Sequence, residues 1–300
     1  MCGRDCTSPG VEQGIGLSAS IRLEAAMTTE TTLKRAVILA RGLGKRMRRD
    51  DDSVHLEAGQ SEWADAGMKV MIPVGRPFLD YVLSGLADAG FAAACVVVGP
   101  EHEAIRDYYL REHIPSRIQV QFAIQSRPRG TANAVLAAEQ FTDGDEFAVM
   151  NSDNYYPAEA LLALQHLGQP GTVLFDADAL VRESNIPPER VRAFAYAVVD
   201  ANAFLGKLVE KPDDTTIAEF AQQKLISMNL WRFSPQVFQA CRNVAISPRG
   251  EYELPMAVRD AISEGMKLKV ACCSAGVLDL SQRADIPAVV ERLKHVTVLL

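Results

Sequence analysis

Residues 37–47 read VILARGLGKRM, an apolar run followed by Gly42, Gly44 and the cation Arg46. Residues 36–40 are apolar without interruption, the pattern of a strand covered on both faces. Glycines at the end of such a strand let the backbone turn sharply and come close to a ligand. The N–H groups of that turn, above all before a helix, make a concave donor site for phosphate. Lys45, Arg46, Arg48 and Arg49 add positive charge beside it. Read alone, the same letters also describe a tight turn with solvated cations.

Outward from this loop the chain alternates. Strand-like runs fall at 36–40, 93–98, 119–124, 146–150, 172–176, 195–199 and 269–273. Helix-like segments fall at 78–89, 102–109, 132–139, 158–167 and 253–264. Strand and helix in turn predict an α/β fold, a mostly parallel sheet with helices on both faces. Ligands of such sheets sit beyond the carboxyl ends of the strands, where the loop after Ala40 and the stretch after Met150 would lie. Residues 48–68 are long, polar and weakly periodic, so an insertion serving as a mobile lid is expected there. Residues 1–32 read as a disordered N-terminal extension, with Met27 as an alternative start, and 33–300 as the domain itself.

The 300 residues are 48% hydrophobic and 23% charged, with net charge -7. An acidic chain with one local basic loop fits a small anionic ligand better than nucleic acid or an anionic membrane. Cys2, Cys6, Cys95, Cys241, Cys272 and Cys273 have no paired metal-ligand spacing, which fits a reducing cytoplasm. Neither a bilayer-spanning stretch nor a secretion signal is visible.

Four further places could carry chemistry. Asp153 follows an apolar strand in NSDN, well placed to hold Mg²⁺ and equally suited to a turn or helix cap. Asp279, in VLDLSQRADI, is a second carboxylate after a strand-like run. Glu210 and Lys211 end the strand of KLVEKP, offering an acceptor for sugar hydroxyls and a charge for phosphate, or simply a surface ion pair. In QSRPRGTANAV, Gln125 could read a base edge while Gly130 lets a flat base lie against bare backbone, although glycine before a helix is also ordinary punctuation.

The order of these pieces says more than any one of them. LARGLGKRM, MKVMIPVGRPFLDYVL, GTANAV, NSDN, LVEKP, SMNLWRF, GEYEL and VLDLSQRADI run in the order found in the sugar-1-phosphate nucleotidylyltransferases. The chain resembles this family from about residue 33 onward, most closely its uridylyl- and thymidylyltransferase type. A dinucleotide-binding oxidoreductase is disfavoured, because Met47 stands where its fingerprint wants a third glycine. The resemblance implies a Rossmann-like, GT-A-like nucleotidyltransferase sheet with a smaller sugar-facing subdomain. It implies that Gly42 and Gly44 line the NTP phosphates, that Arg46 faces the leaving pyrophosphate and that Lys69 approaches the α-phosphate. Gln125 and Gly130 match base-recognition positions, and Asp153 and Asp279 the Mg²⁺-binding pair. Tyr196, Glu210 and Lys211 match the sugar-phosphate pocket. The implied reaction joins UTP or dTTP to a hexose 1-phosphate and releases pyrophosphate, with homo-oligomerisation left open.

Several residues depart from the family pattern. Arg41 replaces alanine or glycine, Lys45 threonine or serine, and Ser152 glycine; Ser227 and Asn229 stand for asparagine and glycine, Ser281 and Gln282 for glycine and threonine. These departures keep two alternatives open: a cytidylyltransferase for a non-sugar phosphate, and a non-catalytic nucleotide- or sugar-binding regulator. The chain has no C-terminal repeat domain before Leu300, so a bifunctional acetyltransferase version is not expected.

Overall fold

Strand β1 (Arg35–Leu39) sends alternate side chains to two different cores. Ala36 and Ile38 enter one and Val37 the other, all three fully buried. The same division runs through β2 (Ala93–Val98) and β4 (Phe147–Asn151). A strand covered on both faces has no solvent side, which is why it reads as a continuous apolar run. Each Val, Ile or Leu buried this way contributes about 1.5–3 kcal/mol.

The computed structural model describes residues 32–213, 215, 217 and 224–300, so the extension expected over 1–32, Met27 included, lies outside it apart from Thr32. Helices α1 (Ala58–Ala66) and α2 (Phe78–Asp88) follow β1; α3 (Glu103–Asp107) and β3 (Gln119–Ile124) follow β2. Next come α4 (Thr131–Ala137), α5 (Glu139–Thr142), β4, the short β5 (Asn154–Tyr155), α6 (Ala158–His166) and β6 (Gly171–Asp176). Helices α7 (Ala177–Glu183) and α8 (Pro188–Arg192) lead to β7 (Ala195–Val199), β8 (Leu205–Val209) and β9 (Leu225–Phe233). The chain ends with α9 (Val237–Asn243), α10 (Leu254–Ser263), β10 (Lys269–Cys273), β11 (Leu278–Asp279) and α11 (Ile286–Leu293).

Among the described residues the main sheet runs β10-β6-β9-β4-β1-β2-β3, with β7 and β8 attached as an antiparallel hairpin beside β9. Neighbours are parallel except where β9 inserts between β4 and β6. Helices α2, α6 and α11 cover one face; α4, α9 and α10 cover the other. The expected mostly parallel sheet with helices on both faces is the fold observed. No helix among the described residues is long and apolar enough to cross a membrane.

Strand β9 was not among the expected strands. It is the antiparallel member, and its register against β6 slips between Val173 and Leu174. At the slip Asn229 takes φ 57°, a left-handed conformation. Glycine adopts this most readily and asparagine better than other residues. The asparagine standing in for the family's glycine therefore keeps the backbone shape.

The 48–68 segment contains α1, and two guanidinium groups hold it. Arg48 donates to Ala66 O at 2.7 Å. Arg283, 7% exposed, donates to Met47 O at 3.0 Å and Arg49 O at 2.9 Å and pairs with Asp65.

Candidate active site

The loop after β1 is shaped by close approach. Gly44 has φ 61°, and a Cβ there would come within 2.6 Å of the Gly67 backbone. Gly42 has open space around it. No helix follows directly; residues 45–48 form a turn closed by Arg48 N to Gly44 O at 2.8 Å, with Met47 buried beneath it. Met47 pins the turn, so Lys45 and Arg46 project from the rim.

Across the rim, Lys69 opens a short 3₁₀ turn (Lys69–Met71) and places Nζ 2.7 Å from Asp153 Oδ2. Asp153 occupies the turn between β4 and β5. Burial opposes its ionisation, but the charge and hydrogen bond of Lys69, helped by Arg46, hold its carboxyl below the ordinary value. Asp279 lies in β11, which pairs antiparallel with β5 so that Asp279 faces Asn154, and Leu280 N donates to Asp153 O at 2.8 Å. Two residues far apart in sequence thus share one tiny ribbon. Burial, then the neighbouring Asp153 charge, raise the pKa of Asp279 despite Arg190.

Arg190 Nη2 lies 2.7 Å from Asp279 Oδ1, and its Nη1 lies 2.6 Å from Asp285 Oδ1. Asp285 in turn accepts from Ser281 N and Gln282 N, both at 2.9 Å. Arg46 Nη2 reaches Ser281 Oγ at 3.4 Å, a long contact. Asn185 brackets the Asp279 backbone, accepting from its N–H at 2.8 Å and donating to its carbonyl at 2.7 Å.

At the far end, Gln125 Nε2 donates to Gly130 O at 3.0 Å and Asn133 Oδ1 at 2.9 Å. Gly130 has φ 106°, and a Cβ there would strike the Tyr252 backbone. That approach lets Tyr252 N reach Arg129 O at 2.7 Å and Ala132 N reach Tyr252 O at 2.9 Å. The glycine therefore serves the packing of the GEYEL segment as well as leaving bare backbone.

Gly42, Gly44, Arg46, Lys69, Gln125, Gly130 and Asp153 all line one cavity of about 380 Å³. Asp279 adjoins it through β5. The remaining expected residues lie elsewhere. Glu210 lines a second cavity of about 270 Å³ with Ser247, Arg249 and Glu253. Lys211 is exposed at φ 45°, and Tyr196 is buried in β7 at 2% exposure. Glu251, within GEYEL, lines the first cavity, and Arg190 holds Asp279. Neither was singled out from sequence, because an arginine in PPERVRAF looks like an ordinary surface charge.

A family model described as nucleotidyl transferase matches residues 64–280. The chain belongs to the nucleotidyl transferase family. Among relatives of this nucleotidyltransferase is the UTP–glucose-1-phosphate uridylyltransferase AglF of Haloferax volcanii, 27% identical over 263 residues covering 87% of this chain and 97% of that protein. The glucose-1-phosphate thymidylyltransferase of Streptomyces antibioticus is 24% identical, over 78% of this chain and 59% of that one. The chain spans about half or less of others, such as 44% of the bifunctional protein GlmU of Methanococcus vannielii. A UDP-glucose pyrophosphorylase complexed with UDP-glucose superposes with TM-score 0.67 at 15% identity, covering 87% of this nucleotidyltransferase and 98% of that chain.

Proposed function

We propose that this nucleotidyltransferase transfers a nucleotidyl group from UTP or dTTP to a hexose 1-phosphate. A phosphate oxygen of the sugar phosphate attacks the α-phosphorus, the Pα–O bond to the β-phosphate breaks, and pyrophosphate leaves. The observation that carries this reading is the meeting, in one cavity, of the glycine loop, Arg46, the Lys69–Asp153 pair and the Gln125–Gly130 corner. Two anions must approach each other, so cations and fixed geometry supply the rate and no covalent nucleophile is needed. Arg46 faces the leaving pyrophosphate and Lys69 the α-phosphate. Lys211 and Glu210, which follow β8 outside this cavity, are assigned to the sugar phosphate; Tyr196 is buried in β7 and is not assigned a direct contact.

Among the described residues no cluster of three or more His, Cys, Asp and Glu side chains could hold a metal by itself. Two carboxylates on one ribbon nevertheless fit Mg²⁺, which binds through one or two carboxylates and completes its shell with substrate phosphates and water. Asp153 and Asp279 would hold it, and when bound it neutralises phosphate charge. Lys69 and Arg190 keep the two carboxylates in place. Cys95, Cys241, Cys272 and Cys273 are unpaired, which suits a cytoplasmic setting.

The test is pyrophosphate release across a matrix of NTPs and sugar 1-phosphates with Mg²⁺. Turnover with UTP or dTTP and a hexose 1-phosphate is expected. Turnover only with CTP and a non-sugar phosphate would establish the cytidylyl reading. Nucleotide binding without turnover would establish the regulatory one.

A further inference from the structure

Arg41 is the one departure from the family pattern that lines the base end of the cavity beside Gln125. It is 8% exposed. Its Nε donates to Gln125 O at 3.2 Å. Its Nη1 lies 2.7 Å from Glu101 Oε1 and has no accessible surface, whereas its Nη2 makes no hydrogen bond among the described residues. The donors of so buried a side chain are normally satisfied, and Nη2, left open on a residue that lines the cavity, points to an acceptor supplied by a ligand. Glu101 balances the guanidinium charge, which makes Arg41 a poorer phosphate contact than the exposed Lys45 and Arg46.

Gln125 supplies the complement. Its Nε2 faces two oxygens, Gly130 O and Asn133 Oδ1, which fixes the orientation of the carboxamide and occupies both amide protons. Only Oε1, an acceptor, remains for a ligand. The pair thus offers one acceptor beside donors.

We propose that Arg41 is a specificity-determining residue that reads the nucleobase together with Gln125 Oε1, selecting a ring N–H next to a carbonyl. Uracil and thymine present that order at N3–H and O4. Cytosine presents a bare N3 beside an amino group, placing acceptor against acceptor and donor against donor. Adenine fails in the same way, whereas guanine shows the accepted order on a larger ring. Mismatched buried polar groups discriminate far more strongly than lost apolar contacts. The inference rests on the reading that this cavity takes an NTP.

Equilibrium binding of UTP and CTP to the full chain and to Arg41→Met and Arg41→Lys tests it, with thermal melting to check folding and pyrophosphate release measured in parallel. Wild type should prefer UTP by about 100-fold. Arg41→Met, which keeps volume but no donors, should shrink that ratio at least about tenfold, chiefly through weaker UTP binding. Arg41→Lys, which keeps the charge without the planar fork, should fall between and serves if the methionine variant does not fold. An unchanged ratio overturns the proposal. Equal weakening of both nucleotides also overturns it, since that marks a phosphate contact. If Arg41 controls the ratio but wild type releases no pyrophosphate, the proposed reaction fails while base selection stands; if no nucleotide binds, both fail.

Discussion

Around the nucleotide cavity, Lys69 grips Asp153 and Gln125 grips the Gly130 turn, each at hydrogen-bond distance. At the proposed sugar end, Lys211 stands exposed in a left-handed conformation and Glu210 lines a different cavity. Asp153 and Gln125 follow strands β4 and β3 of the main sheet, and Lys69 opens the 3₁₀ turn after α1. Glu210 and Lys211 follow β8, where the chain leaves the antiparallel β7–β8 hairpin at the side of the sheet. In the proposed reaction, phosphate and base would be met by groups already in place, while the ligand would engage the charged groups after β8. A lysine at φ 45° costs on the order of 1 kcal/mol, the kind of local strain found where a loop serves a ligand.

The largest effect belongs to the preformed side. Lys69→Ala should lower kcat by about 1000-fold or more, measured as pyrophosphate release. Its stability cost should be modest, about 1–2 kcal/mol, because both side chains keep some solvent contact. The sign with pH follows from Asp153. Its carboxyl is held low in the folded state, so the ion pair contributes stability above the ordinary 3.8 and loses it as pH falls through the lowered folded value. Denaturant melts should accordingly show the gap between variant and wild type closing in acid. A gap that widens in acid would break the comparison.

Gly130→Ala should cost about 2–4 kcal/mol in chemical denaturation, because a Cβ at φ 106° strikes the Tyr252 backbone. Gly42→Ala, with open space, should stay within about 0.5 kcal/mol yet weaken nucleotide binding. Equal stability costs would mean that the two glycines do the same job. On the sugar side, Lys211→Ala should raise KM for the sugar phosphate about tenfold while KM for the nucleotide moves less than about twofold. Equal movement of both constants would erase the distinction between the two ends.

The smallest effect is at His102, behind Arg41. Burial lowers its pKa below the ordinary 6.5, Arg41 and Arg106 lower it further, and Glu101 opposes. Its Nδ1 accepts from Gly99 N at 3.3 Å, which requires the neutral ring. The unfolded chain therefore binds the proton first, and stability falls as pH drops below 6.5. Thermal melts of His102→Gln should lose less on acidification than wild type; identical slopes would remove His102 from the base-end network.

The parallel strands were legible because burial on both faces demands an uninterrupted apolar run, as in β1 and β2. Strand β9 hid its nature. Asn229 breaks its alternation, and the fully buried Arg232 reads like a strand terminator although Glu146 and Gln165 satisfy it at 2.8 and 2.9 Å. Helix α1 was weakly visible because only Gln60 and Ala64 are buried, leaving almost no apolar stripe. Within the site, Asp153 and Asp279 were visible as carboxylates after strand-like runs, while Lys69 and the pairing of the two aspartates came from the family resemblance. Their convergence is a tertiary fact, since pairing of β5 with β11 leaves no local trace. Arg190 and Asn185 were illegible for the same reason.

The central claim is that Asp153 and Asp279 act on one shared divalent ion at the triphosphate. A double-mutant cycle of Asp153→Asn, Asp279→Asn and the pair, read as kcat/KM for pyrophosphate release, tests it most directly. Each single change should cost about 1000-fold, and the double change little more, because the first already disables the common partner. Losses that multiply, or near wild-type turnover in either single variant, would contradict it.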